Sequence, residues 1–165
     1  MSVGKCANRR AFKSSMGDKL MSLKKILVAT DYSAASKEAL RVASSLARDS
    51  GATLLICHVS ELEPYPVGEP APAGPPSDPA ALKELKTVVP AELGIPHEHH
   101  LLFGEPGSAE ITKPAEVILK FANENGVDMV VLGTQGRSGL RHLLMGSVAE
   151  HVVRHAECPV TTVRV

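Results

Sequence analysis

Val127-Asp128-Met129-Val130-Val131-Leu132-Gly133-Thr134-Gln135-Gly136 is an apolar run that empties into a glycine loop, and Gly146-Ser147 follows after nine residues. A strand that feeds glycines and then a helix start is how a main chain cradles phosphates. Glycine lets the backbone approach a polyanion and reach φ > 0, which costs other residues about 1–2 kcal/mol. The helix start adds free N–H groups and a partial positive charge. The spacing G-x2-G-x9-G-S therefore predicts a buried strand with an anion site at its C-terminal end.

Working outward, the same alternation of strand and helix repeats. Ile26-Leu27-Val28-Ala29-Thr30 is a continuous apolar strand of the kind buried on both faces. Ser33 can cap the next helix, in which Ala35, Ala39, Val42, Ala43 and Leu46 recur at helical spacing until Gly51. Thr53–Val59 reads as a second strand, Ala80–Leu93 as a helix disturbed at Pro90, and His97–Phe103 as a third strand. Pro114 suits a first helical turn, Val117, Ile118, Phe121 and Ala122 form an apolar face, and Gly126 ends that helix. Strand four is Val127–Leu132, a short helix spans Ser147–His155, and Pro159–Val165 closes the chain as a strand. Such alternation predicts an α/β protein: an open, mostly parallel sheet with helices on both faces. Ligands in that architecture sit beyond the carboxyl ends of the strands, at the switch in strand order. The loops after strands one and four are the places to look.

Those two loops also carry a resemblance. Lys24-Lys25-Ile26-Leu27-Val28-Ala29-Thr30-Asp31-Tyr32-Ser33 resembles the opening strand of universal stress proteins. Leu132–Leu140 with Leu144-Met145-Gly146-Ser147-Val148-Ala149 is similar to their nucleotide loop, and Cys158-Pro159-Val160 to their ending. The likeness covers residues 23–165 apart from a proline-rich loop insertion at 63–79. It implies a five-stranded sheet of order 3-2-1-4-5, Rossmann-like and of the adenine nucleotide alpha hydrolase-like type, in a protein that is usually a homodimer. Family members that keep G-x2-G-x9-G-[S/T] bind ATP, and this chain keeps every position.

Carried over residue by residue, the resemblance implies that Asp31 contacts the ribose, with Ala29 and Thr30 beside it. The main chain of Val59 would meet the adenine. Leu132, Gly133, Gln135, Gly136 and Arg137 would line the phosphates, and Gly146, Ser147, Val148 and Ala149 would close around them. Magnesium is the expected companion of ATP. One departure from the family pattern lies at Gly107–Lys113, inserted ahead of the third helix.

Each residue also has a plainer reading. Ser147-x-x-Glu150 is a capping box and would explain Ser147 without a ligand. The readings are compatible, because a capping hydroxyl can also donate to a phosphate. Asp31 could cap the first helix instead of holding a ribose. Arg137 suits the phosphates better than Arg141, which reads as surface. His151 and His155, four apart, could pair on a metal, but the helix-face reading is preferred; His97 and His99 read as a wet strand start. No metal site is expected.

Composition narrows the classes further. Basic and acidic residues balance at 18 each, with no basic aromatic stretch, so a nucleic-acid face is not expected. Aromatics are 3% and Trp is absent, which predicts an aliphatic core. Cys6, Cys57 and Cys158 are scattered and odd in number, which fits a reducing cytoplasm. No apolar run is long enough for a membrane helix. Residues 1–22, with Lys5, Arg9, Arg10, Lys13 and Lys19, read as a disordered extension or an over-long start, with a transit peptide as the alternative. Pro159–Val165 is an apolar-rich edge suited to pairing two copies.

Three functions remain open at this point. One is an ATP-binding regulatory protein in the stress response. Another is a slow ATP hydrolase, self-phosphorylating or nucleotidyl-transferring enzyme on the same scaffold. The last is a nucleotide-independent dimeric scaffold. No committed catalytic base is evident, which favours the first.

Overall fold

Ile26, Leu27 and Val28 have no exposed surface at all. Three consecutive buried residues in a strand mean that both faces are covered, and the computed structural model shows by what. It describes residues 23–60, 77–104, 113–135 and 145–165. In chain order these form β1 (Lys25–Ala29), α1 (Ala34–Ser50), β2 (Thr53–Ser60), α2 (Pro79–Leu85) and β3 (His97–Phe103). There follow α3 (Pro114–Glu124), β4 (Met129–Gly133), α4 (Ser147–His155) and β5 (Val160–Val163). All strand pairs are parallel, in the order β3-β2-β1-β4-β5. The chain thus runs outward from β1 to β3, then returns to the other side of β1 for β4. That reversal is the expected switch point, and the fold class and strand order agree with the reading of the sequence.

Two aliphatic layers hold the sheet. Ile26, Val28, Leu54, Ile56 and Val131 pack on one face against Ala39, Ala43 and Ala47 of α1 and Leu85 of α2. Leu27, Leu55, Cys57 and Val130 pack on the other against Ile118 and Ala122 of α3 and Ala149 and Val152 of α4. Each large aliphatic side chain so buried contributes about 1.5–3 kcal/mol. Alanines along α1 let that helix lie close to the strands. Cys57 is buried as expected, and desolvation pushes its thiol up to about 12, which leaves it inert at neutral pH.

Several boundaries differ from those expected, each for a local reason. The second helix ends at Leu85 rather than Leu93, because the Thr87 hydroxyl and N–H both donate to Glu84 O, at 2.7 and 2.9 Å. It also begins at Pro79, with Asp78 accepting the Ala81 N–H at 2.9 Å, so Pro79 opens a helix instead of closing the proline-rich loop. Strand four begins at Met129, not Val127. The Val127 N–H closes α3 on Ala122 O, while the Asp128 carboxylate accepts the Lys24 and Lys25 N–H groups at 2.8 and 2.9 Å. The last strand is shorter than Pro159–Val165, since Pro159 has no N–H to pair and serves only as an acceptor for Val130. The extension at 1–22, positions 61–76 of the proline-rich region, and 107–112 of the insertion lie outside the described residues. Among the described residues no helix is long and apolar enough to cross a membrane.

Candidate functional site

At the carboxyl end of β1 the chain makes a tight polar corner. Tyr32 adopts φ 66, an unusual conformation for a bulky residue, and its N–H donates to Thr30 Oγ1 at 3.1 Å. The Asp31 carboxylate accepts the Ser33 N–H at 3.1 Å, and Ser33 then caps α1 by accepting the Ser36 N–H at 3.2 Å. Asp31 is therefore not the cap; it holds the residue that is. Burial pushes its carboxyl up, but hydrogen bonds from the Ser33 hydroxyl and N–H, and from Ser36, outweigh that and hold it below the ordinary value. The carboxylate stays ionised at neutral pH.

Beyond β4 the arrangement is different. The N-cap of α4 is Gly146, which offers no side-chain hydrogen bond, and Ser147 is the first helical residue. The expected capping box between Ser147 and Glu150 is not formed. Glu150 pairs instead with Arg154 one turn along, at 2.7 Å. With no capping side chain at Gly146, the first turn of α4 keeps N–H groups to offer. Thr134 O accepts the Gly146 N–H at 2.6 Å and Val163 O accepts the Thr134 N–H at 2.8 Å, which fixes α4 relative to β5. Thr134 is only 6% exposed, and its hydroxyl finds no partner among the described residues.

The glycines have separate reasons. A Cβ on Gly133 would lie 2.8 Å from both the carbonyl carbon and Cβ of Ala35 and 3.0 Å from Ser36 N, so glycine there admits the start of α1. A Cβ on Gly146 would stand 3.3 Å from Thr134 O. Neither residue uses positive φ, contrary to the expectation that φ > 0 explains them. Gly136 and Arg137 lie outside the described residues.

Between these two corners opens a cavity of about 640 Å³, within the usual size of a small-molecule site. Ala29, Thr30 and Asp31 line it from β1, Val59 from β2, and Leu132, Gly133 and Gln135 from β4. Gly146, Ser147, Val148 and Ala149 line it from the start of α4. Every described residue singled out from the sequence as a ligand contact is thus brought to one wall or another. Sequence reasoning missed Ser36, Cys57, His58, Ser60, Asp78, Ala81, Pro114, Ile118 and Thr134, which also line it. Only the register of β2 against β1 and the packing of α2 bring His58 and Asp78 there. Thr134 carried a signal, since it sits inside the glycine motif.

The histidines outside the cavity are engaged within the fold, several of them by main-chain oxygens. His97 Nδ1 lies 2.9 Å from Ile95 O, His99 Nε2 lies 2.8 Å from Val88 O, and the His151 and His155 rings stack at 4.2 Å. Among the described residues no group of three or more potential ligands converges on a metal position.

Comparison with known proteins bears on this site. The family model described as the universal stress protein family matches residues 22–164. A universal stress protein of Methanocaldococcus jannaschii is 34% identical over 149 residues, 86% of this chain and 82% of its own. The structure of the Archaeoglobus fulgidus universal stress protein in complex with dAMP is similar at TM-score 0.59 and 27% identity, covering 87% of this chain and 99% of that one. A universal stress protein in complex with cAMP aligns at TM-score 0.59 and 25% identity, covering 85% and 95%.

Proposed function

The chain belongs to the universal stress protein family, and on that premise we propose that its cavity binds an adenine nucleotide, with ATP and magnesium as the physiological ligand. The observation that carries this reading is the start of α4, which among the described residues has no capping side chain and borders the cavity beside a Thr134 hydroxyl without a partner there. Main-chain N–H groups at a helix start are suited to phosphate, and Ser147 and Thr134 add two hydroxyl donors. Asp31, ionised across the cavity, would repel phosphates but accept ribose hydroxyls. It is also a carboxylate of the kind that shares magnesium with phosphate oxygens. On this reading the phosphates lie at α4 and the base toward Val59. Gly136 and Arg137 belong to the same reading, as continuation of the phosphate loop. The complexes of related proteins with dAMP and cAMP support an adenine nucleotide as the ligand class.

Its role in this reading is regulatory, with the nucleotide-bound state read by a partner or by a second copy of the chain. Isothermal titration of the full chain with ATP, ADP and AMP in the presence of magnesium tests the binding directly. Saturable heat is expected, and no heat from any of the three overturns the reading. The same reading includes a homodimer through β5, an edge strand paired only with β4 in the described chain. Light scattering reads this, and a monomer mass at working concentration would exclude it.

A further inference from the structure

The cavity is chemically lopsided. At the α4 end its main chain offers donors. At the other end, where β2 runs out against the start of α2, the side chains offer acceptors. His58 Nδ1 lies 2.8 Å from the main-chain oxygen of Thr30. A carbonyl only accepts, so in the neutral imidazole the ring hydrogen belongs on Nδ1 and the lone pair on Nε2. The Tyr32 ring packs on His58 with centroids 4.7 Å apart, so the imidazole is held by a ring contact as well as by its hydrogen bond.

Asp78 lines the same cavity as His58. Its Oδ1 accepts the Ala81 N–H and its Oδ2 accepts the Ser60 hydroxyl, each at 2.9 Å. Each carboxylate oxygen has lone-pair capacity for a second donor. His58, Ser60 and Asp78 all line the cavity, and His58 and Ser60 flank Val59 in sequence. Two fixed acceptors thus border the end of the site opposite the phosphate donors.

We infer that His58 and Asp78 select a nucleobase whose outward edge donates a hydrogen bond, a 6-aminopurine, against one that presents a carbonyl there. The inference rests on the nucleotide reading above and adds to it which side chains choose the base. Tyr32 and the Thr30 carbonyl are positioning groups in this scheme, because they set the plane and tautomer of His58. An exocyclic amino group satisfies an acceptor at this end. A 6-oxo group faces lone pairs with its own and leaves them unpaired, which disfavours binding by about tenfold or more.

AMP and IMP, which differ at that edge of the base, separate the possibilities when titrated calorimetrically into the full chain. The parent protein is expected to bind AMP about tenfold or more tightly than IMP. Asp78→Asn keeps a competent cap on α2 but replaces one acceptor oxygen with an amide donor, and is expected to bring the ratio toward one. His58→Phe keeps a ring against Tyr32 and deletes the lone pair, with the same direction expected. Equal affinities of the parent for the two nucleotides overturn the inference and leave nucleotide binding standing. An AMP preference that survives both substitutions also overturns it, and moves base recognition to the Val59 main chain. No heat with either nucleotide removes the nucleotide reading itself, and this inference with it.

Discussion

Two helices begin at the same cavity, and their first turns are finished in opposite ways. At α1 the polar groups are satisfied locally. Ser33 caps Ser36, Asp31 holds Ser33, the Ser36 hydroxyl donates to Ser33 O at 3.0 Å, and Thr30 Oγ1 donates to Ser36 Oγ at 3.2 Å. At α4 a glycine occupies the cap, and among the described residues no side chain closes the turn. The contrast separates two uses of a helix start. One is consumed by the fold, with its donors spent on its own residues. The other is left for something that arrives from outside, and its electrostatics favour an anion.

The sharpest way to break this comparison is to disturb the seat that the closed corner depends on. Gly133→Val puts a side chain where Ala35 and Ser36 already stand, so α1 must move or the end of β4 must. Overpacking of this kind costs about 1–3 kcal/mol, and the backbone contacts at 2.8 and 3.0 Å place it at the upper end. Urea unfolding is expected to lose about 3 kcal/mol of stability, whether or not nucleotide is present. A loss under about 0.5 kcal/mol, within the range of a neutral surface change, would show that α1 does not need this close approach. Gly133 thus belongs first to the fold, although the sequence presents it as part of a phosphate loop.

A pair of serine substitutions then tests the two starts against each other. Ser147→Ala removes a hydroxyl that caps nothing, so stability should hold within about 0.5 kcal/mol. Nucleotide affinity should fall by about 1.5–3 kcal/mol, the usual worth of a hydrogen bond to a charged group. Ser33→Ala should do the reverse, with about 1 kcal/mol of stability lost with the cap and affinity nearly kept. Chemical unfolding and calorimetry on both variants give the four numbers. If Ser147→Ala destabilises as much as Ser33→Ala, then α4 is capped after all and the distinction between the corners is lost.

What the sequence made legible follows the same division. Periodicity revealed the strands and the helix faces, because each buried face repeats over many residues: Ile26 with Val28 on one side, Leu27 on the other. Local chemistry was readable at α1, where Ser33 starts the helix and Gly51 stops it as their types suggest, Gly51 at φ 72. It misled at Ser147, where the pattern of a capping box was present but Gly146 took the cap and Glu150 turned to Arg154. The end of α2 was hidden because apolar residues continue past Leu85, where the N–H groups of Thr87 and Val88 turn to the tighter i−3 carbonyls of Glu84 and Leu85. Asp78 looked like the tail of a proline-rich stretch, and only the packing of α2 over β2 brings it beside Ser60 and His58. Residues that reach a site through register or packing leave no local mark, whereas those placed by a motif do.

The smallest expected effect concerns Asp31, which sits where the closed corner meets the cavity. Hydrogen bonds from Ser33 and Ser36 hold its folded carboxyl below the ordinary value of 3.8, against the opposing effect of burial. As pH falls, the unfolded chain therefore takes up this proton first. The carboxylate's contribution to stability is complete above the unfolded value and is lost as pH drops through the folded one. Asp31→Asn keeps an oxygen for the Ser33 N–H but cannot titrate. Its deficit relative to the parent should be present at neutral pH and shrink as pH falls through the carboxyl range. Thermal melts of both proteins over that range measure the gap, and a gap independent of pH would mean that the charge of Asp31 does not serve the fold. The carboxylate would then be held in place for the ligand alone, and the corner after β1 would be less closed than its hydrogen bonds suggest.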